Sequence, residues 1–266
     1  VSDILAAEGK EFHAPGMELF DWGPLFPGGP EWLTWLTKPV LIVALAVAVT
    51  AVFLVMAFRR PQLVPRGAQN VGEAAYVFVR DQMARPALGK DAERFMPFLF
   101  TTFLFILFMN YAGVIPVLQL PAPSHIAFAI VPAAVVYVMM LVLGIKHQGL
   151  GGYFKGVLFP PGLPKGIYVI LTPIELISTF VLRPFTHAVR LFANMFAGHI
   201  LLAFFATVGY WFLIEKLTPA GFGVGVLGFL MTIVMTGFEL FIQSLQAFIF
   251  TVLTASYIAG SLHAEH

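Results

Sequence analysis

Arg183, His187, Arg190 and Asn194 recur at three- and four-residue intervals within one apolar stretch, with Ala197 next in the series. At 3.6 residues per turn they share one helical face. Glu239, Gln243, Gln246 and Phe250 repeat the spacing in a later stretch. His199 follows the first set and Glu175 precedes it. Ionisable groups in apolar segments are costly, and by default they mark an ion pathway or proton relay. A carboxylate beside an imidazole can take up and release a proton, while a guanidinium holds a fixed positive charge. In an antiparallel helix pair, facing residues have a nearly constant sum of numbers. Arg190 with Gln246, Asn194 with Gln243 and His199 with Glu239 have sums that agree to within two, so one register brings the two polar stripes together.

The elements that must position these groups are long. The stretches Ile167–Leu213 and Phe222–Leu262 each exceed the roughly 20 residues that cross a bilayer, so each must tilt, bend or project beyond it. A short link with Glu215, Lys216 and Pro219 makes them a hairpin. Upstream, Pro39–Phe58 carries no charge and is bounded by Trp32 and Trp35 on one side and Arg59 and Arg60 on the other. Phe95–Leu118, with Asn110 as its one strongly polar residue, and Ile126–Ile145 read as further crossings. Between the first two, residues 68–85 form an expected amphipathic interfacial helix, with Val71, Ala75, Tyr76, Phe78, Val79 and Met83 on the apolar arc and Pro86 as its end. Residues 146–166, rich in Gly and Pro, read as a loop, and Gln119–His125 as a proline-containing link. The fold class expected is an all-α polytopic membrane protein: five crossings, an interfacial helix, and a long tilted hairpin at the end. Residues 1–38 form an extracytoplasmic segment and 39–266 a single membrane domain.

Composition agrees. Of 266 residues 59% are apolar and 11% charged, against roughly 25% charged in soluble domains, so much of the surface must face lipid. A net charge of +1 gives no field for nucleic acid. With no cysteine there is no disulfide or thiolate metal site, and no histidine array or other motif calls for a metal or cofactor. Residues 1–38 hold six acids and two bases, and no signal-peptide pattern is read there. Residues 59–94 hold seven bases and four acids, and 146–166 hold Lys146, Lys155 and Lys165 without an acid. By the positive-inside rule those two loops are cytoplasmic, the N-terminus is outside and the C-terminus is cytoplasmic.

The run Arg190-Leu-Phe-Ala-Asn194-Met-Phe-Ala-Gly198-His199 resembles the signature of subunit a of the bacterial F-type ATP synthase. Gln243-Ser-Leu-Gln246-Ala-Phe-Ile-Phe-Thr-Val-Leu-Thr254 is similar to the same family's last helix, and Asn110-Tyr-Ala-Gly-Val-Ile-Pro116 to an earlier segment. The resemblance implies a proton-translocating stator subunit in the plasma membrane, without catalysis of its own. Its implied partners are a ring of c subunits, the peripheral-stalk b subunits, the remainder of the F1Fo complex and the lipid bilayer. It further implies two offset half-channels separated by Arg190, with Asn194, His199, Glu239, Gln246 and Glu175 as the other proton-translocation residues. His199 and Glu239, on the outer side of Arg190, suit the lining of the outer half-channel or a structural buried hydrogen bond, Asn194 and Gln246 suit translocation or helix-packing glue, and Glu175, near Ser178, suits the inner half-channel. Gln243, Arg183, His187 and Asn110 are secondary candidates: Arg183 also suits a snorkelling anchor, and Asn110 a cap or packing residue.

Two other classes compete. A stand-alone ion channel or secondary transporter is one, although the repeat common in transporters is not seen. An intramembrane hydrolase using His199 and Glu239 is the other, without a nucleophile motif to support it. Gly221, Gly223, Gly225 and Gly228 mimic a dinucleotide loop, but no strand precedes them, and close helix packing is expected instead. His263 and His266 read as a solvated tail.

Overall fold

The computed structural model describes residues 12–262 except 22, 24, 27, 29, 31–33, 116–121, 160–165 and 217. The acids Asp3, Glu8, Glu11 and Glu31, Trp32, the end of the second expected crossing, the first half of the link before His125, Lys165 and the tail with His263 and His266 lie outside the described residues. Those described form helices joined by short connections, and five helical segments are long and apolar enough to cross a membrane. The chain is an all-α polytopic membrane protein.

Helix α1 (Lys38–Phe58) starts with Pro39 in its first turn, where a missing N–H costs nothing. It buries Ile42, Ala46 and Thr50 along one stripe and leaves Leu41, Leu45, Val52 and Val55 exposed, a surface suited to lipid. Helix α2 (Ala68–Val79) follows a positive-φ Gly67. It widens into a π turn (Arg80–Ala84) and one more α turn (Arg85–Leu88), ending at Gly89 with φ +55°. Pro86 therefore does not end it. The wide turn places Pro86 at the start of the following turn, where its ring and absent N–H are tolerated. The apolar arc is also rotated: Gln69, Gly72, Val79 and Met83 are buried, whereas Val71 and Phe78 are exposed.

Helix α3 (Ala92–Tyr111) supplies much of the core, with Met96, Leu99, Ile106 and Met109 fully enclosed. It stops short of the expected Leu118. Gly113 and Val114 close tight turns back to Asn110 and Tyr111, and Pro116 disfavours helical backbone at Ile115. Helix α4 (Ile126–Leu158) overruns its expected end at Ile145, so half of the expected loop is helical. Gly149, at φ +74°, breaks the path there. Aromatic packing outweighs the poor helix propensity beyond it: the Tyr153 ring fills the space over Gly144, and Phe154 stacks on Phe180 at 5.5 Å. The Gln148 side chain donates to the Ser261 carbonyl at 2.9 Å.

The last two segments are as long as expected. Helix α5 (Tyr168–Ile177), a π turn (Ser178–Leu182), helix α6 (Arg183–Tyr210) and another π turn (Trp211–Glu215) form one path of 48 residues. At 1.5 Å per residue this is about 72 Å, more than twice a bilayer core. Helix α7 (Pro219–Leu262) returns antiparallel to it, and the Thr218 hydroxyl caps its first turn by accepting from Gly221 N–H at 3.0 Å. Small residues allow a close crossing. A Cβ on Gly228 would lie 2.7 Å from the Gly209 nitrogen, and one on Gly225 would lie 2.7 Å from Leu213. Gly221, Gly225 and Gly228 thus serve helix packing, as expected, while no described residue lies within 4 Å of a Cβ on Gly223.

Candidate functional site

The hairpin register follows the expected one within three residues. His187 stacks over Phe250 with ring centroids 3.9 Å apart, and Gly198 faces the Glu239 carboxylate. The individual pairs differ. Asn194 Nδ2 donates to Gln246 Oε1 at 2.6 Å, so Gln246 takes Asn194 rather than Arg190. Gln243 does not meet Asn194. Its Nε2 donates to Glu239 Oε1 at 3.1 Å on its own helix, and its backbone carbonyl accepts from Asn110 Nδ2 at 3.4 Å. The cause is rotational: residues 243 and 246 lie about 60° apart around α7, so the helix can turn only one of them toward Asn194.

The structure gathers Asn110, His199, Glu239, Gln243 and Gln246 as buried groups in the bundle, with Asn194 half-buried beside them. Among the described residues no hydrogen bond joins His199 to Glu239; the carboxylate lies against Gly198, one residue away. Asn110 Oδ1, His199 Nδ1, Glu239 Oε2, Gln243 Oε1 and Gln246 Nε2 are buried without a protein partner among the described residues. An unmade hydrogen bond costs on the order of 1–3 kcal/mol. Five such atoms close together mark a polar seam in which water molecules have partners to bond.

Arg190 stands apart. It is exposed, and it makes no hydrogen bond or ion pair with a described residue. Ala193, Ala197 and Leu201 continue its exposed stripe along α6. The cation therefore sits on an outward face with methyl-sized neighbours, beside the buried seam. His187 is enclosed between Phe250 and Tyr257, and the Arg183 guanidinium lies 6.0 Å over the Tyr257 ring. Glu175, half-buried on α5, is not brought to this cluster: fifteen residues of helix, about 22 Å, separate it from Arg190. Among the described residues no group of three or more His, Asp or Glu is arranged to hold a metal ion.

Comparison with known proteins identifies the family. The family model for the ATP synthase A chain matches residues 40–259, which include both polar stripes and all of the helices named above except the first two residues of α1 and the last three of α7. The chain belongs to this family. Curated relatives named ATP synthase subunit a include one from Frankia alni, 44% identical over all of this chain and 91% of the relative. Others are from Streptomyces lividans, 43% identical over all of this chain and 92% of the relative, and Pseudarthrobacter chlorophenolicus, 43% identical over 98% and 97%.

Within this subunit-a family member, several residues near the seam or near Glu175 escaped sequence reasoning. Tyr111 Oη shares a 2.7 Å hydrogen bond with Ser244 Oγ, tying α3 to α7 next to Gln243. No local pattern announces a contact between residues so distant in sequence. Thr179, rather than Ser178, is the buried hydroxyl near Glu175, and its i+4 spacing from Glu175 was a usable signal. Phe20 is 7% exposed, and its ring lies 5.8 Å from the His199 imidazole. It comes from a segment without periodicity, where sequence carries no face to read.

Proposed function

We propose that this chain is the proton-translocating stator subunit of a bacterial rotary ATP synthase, providing two offset half-channels to the carboxylates of a ring of c subunits. The observation that carries the reading is Arg190: a cation unpaired among the described residues, exposed on an alanine-lined helix face, beside a seam of buried polar groups. A lone guanidinium at an apolar surface is costly unless an anion meets it. A ring carboxylate turned toward lipid has to be neutral. Brought to Arg190, it is favoured as the anion, because an opposite charge stabilises that form. It releases its proton into one half-channel and reloads from the other. The guanidinium, which keeps its charge, repels a proton passing directly between them. Each elementary charge that crosses the membrane gains about 2.3 kcal/mol per 100 mV.

On this reading His199, Glu239, Asn194 and Gln246 line the outer half-channel, and Glu175 with Thr179 marks the inner one. The chain lies in the plasma membrane with its N-terminus outside and C-terminus cytoplasmic, as the basic segments 59–94 and 146–166 favour. It works with the c ring, the peripheral-stalk b subunits and the remainder of the F1Fo complex. Gentle detergent purification through a tag on this chain tests the reading. A ring of small hairpin proteins should co-purify, and the reconstituted complex should acidify vesicles when given ATP. A chain that purifies without such a ring and conducts ions alone would overturn it.

A further inference from the structure

The N-terminal segment lies along α6 rather than away from the bundle. Phe12 packs edge-on against Phe204 and Trp211, with centroids 6.3 Å away in each case. Phe20 stacks on Phe196 at 4.7 Å and meets His199 at 5.8 Å. Phe196, His199, Phe204 and, in the π turn that continues α6, Trp211 lie along one side of this path. Phe20 meets the first two and Phe12 the last two, so the anchors are about 15 Å apart along the axis. The eight steps from Phe12 to Phe20, three of them through the 3-10 turn Met17–Phe20, reach at most roughly 23 Å and cover that distance. The segment thus runs beside α6 and is anchored by an aromatic ring at each end. Between and around the anchors, Glu18 and Asp21 are exposed while Phe20 is buried. Irregular backbone beside a membrane-spanning helix is tolerated only against protein or a water-lined cavity, and Nδ1 of His199, without a partner among the described residues, lies at the inner anchor.

We propose that residues 12–21 form a strap closing the approach to His199 from the Trp211 end of α6, with Phe20 as the positioning residue for the imidazole. A phenyl ring offers no hydrogen bond. It restrains the imidazole by contact, keeps bulk water from that side, and leaves Nδ1 to the polar seam. Glu18 and Asp21, on the solvent side of the strap, keep its outer surface hydrated. The inference rests on the reading of His199 and Glu239 as outer half-channel groups, and on the N-terminus facing outside.

The chain has no cysteine, so a single reporter can test the strap in the assembled complex. Ala203 lies on the α6 stripe between the two anchors. In Ala203→Cys complexes in right-side-out vesicles, a membrane-impermeant methanethiosulfonate added outside should label this chain slowly. Phe20→Ala should raise the labelling rate about tenfold, the factor equivalent to ~1.4 kcal/mol of lost cover, and Phe20→Leu, which keeps the apolar bulk, should stay near the starting rate. Phe12→Ala should also raise it, and supplies the answer if Phe20→Ala does not assemble. Labelling that is the same with and without these rings, or that proceeds only from the cytoplasmic side, overturns the strap. ATP-driven pumping by His199→Ala complexes is read alongside: normal pumping with ring-dependent labelling overturns the half-channel role and leaves the strap standing.

Discussion

Asn194 and Gln246 join the two long helices through a 2.6 Å amide–amide hydrogen bond, one turn beyond Arg190 on α6. The bond uses one donor of Asn194 and the carbonyl of Gln246, and it leaves Gln246 Nε2 buried in the seam. Its geometry makes the two amides a unit. Asn194→Ala and Gln246→Ala should each slow ATP-driven proton pumping by about fivefold, the equivalent of ~1 kcal/mol. The double variant should be no slower than the worse single. Pumping by reconstituted complexes, read as a double-mutant cycle, checks this; multiplicative losses would mean that the two amides act separately.

Arg190 is the sharpest test of the channel reading. Arg190→Ala should abolish proton-driven ATP synthesis and open a passive proton leak, because the fixed charge between the half-channels is gone. Arg190→Lys should also fail or nearly fail. An ammonium lacks the planar fork and gives up its proton when desolvated. Synthesis and leak in energised vesicles supply both readings, and coupled synthesis at the normal rate in Arg190→Ala would refute the assignment.

His199→Ala and Glu239→Ala should slow proton entry without opening a leak, since Arg190 remains. The exchanged variant, His199→Glu with Glu239→His, keeps one acid and one base in the seam and should recover part of the lost rate. No direct hydrogen bond joins the two in the structure, so recovery would act through water in the seam. Acidification of inverted vesicles compares the three, and an exchanged protein no faster than the worse single variant would show that the residues do not work together.

Two glycines on α7 should respond oppositely to the same change. A methyl at Gly228 meets backbone atoms of Gly209 at 2.7 Å, so Gly228→Ala must spread the hairpin, at a cost of roughly 1–3 kcal/mol. A Cβ on Gly223 would meet no described residue within 4 Å, and Gly223→Ala should be neutral or stabilise by about 0.5–1 kcal/mol through helix propensity. Thermal unfolding of purified complexes bearing each substitution checks the contrast.

The parts legible in sequence were those where one residue type has few ways to be satisfied. The facing polar stripes and three of the four glycines, Gly221, Gly225 and Gly228, belong there, because polar groups in apolar helices and missing side chains each narrow the possible neighbours. Gln246 shows where that reasoning stops: spacing placed it on the hairpin face, but the choice between Arg190 and Asn194 depended on how α7 is rotated. Residues 146–158 misled because their glycines and lysines read as a loop, while Tyr153 and Phe154 found packing surfaces on Gly144 and Phe180. Phe20 could not be placed at all, since its contacts come from α6, more than 170 residues later.

The contact of Gly209 with Gly228 also makes the hairpin a lever. Backbone meets backbone there, so the crossing acts as a fulcrum rather than a cushioned joint. Asn194 lies fifteen residues away along α6, an arm of about 22 Å. A change of only about 5° in the crossing angle would swing Asn194 by roughly 2 Å over that arm, enough to part its amide from Gln246. The spacing of the polar groups near Arg190 is therefore set in large part by two hydrogen atoms at the far end of the arm.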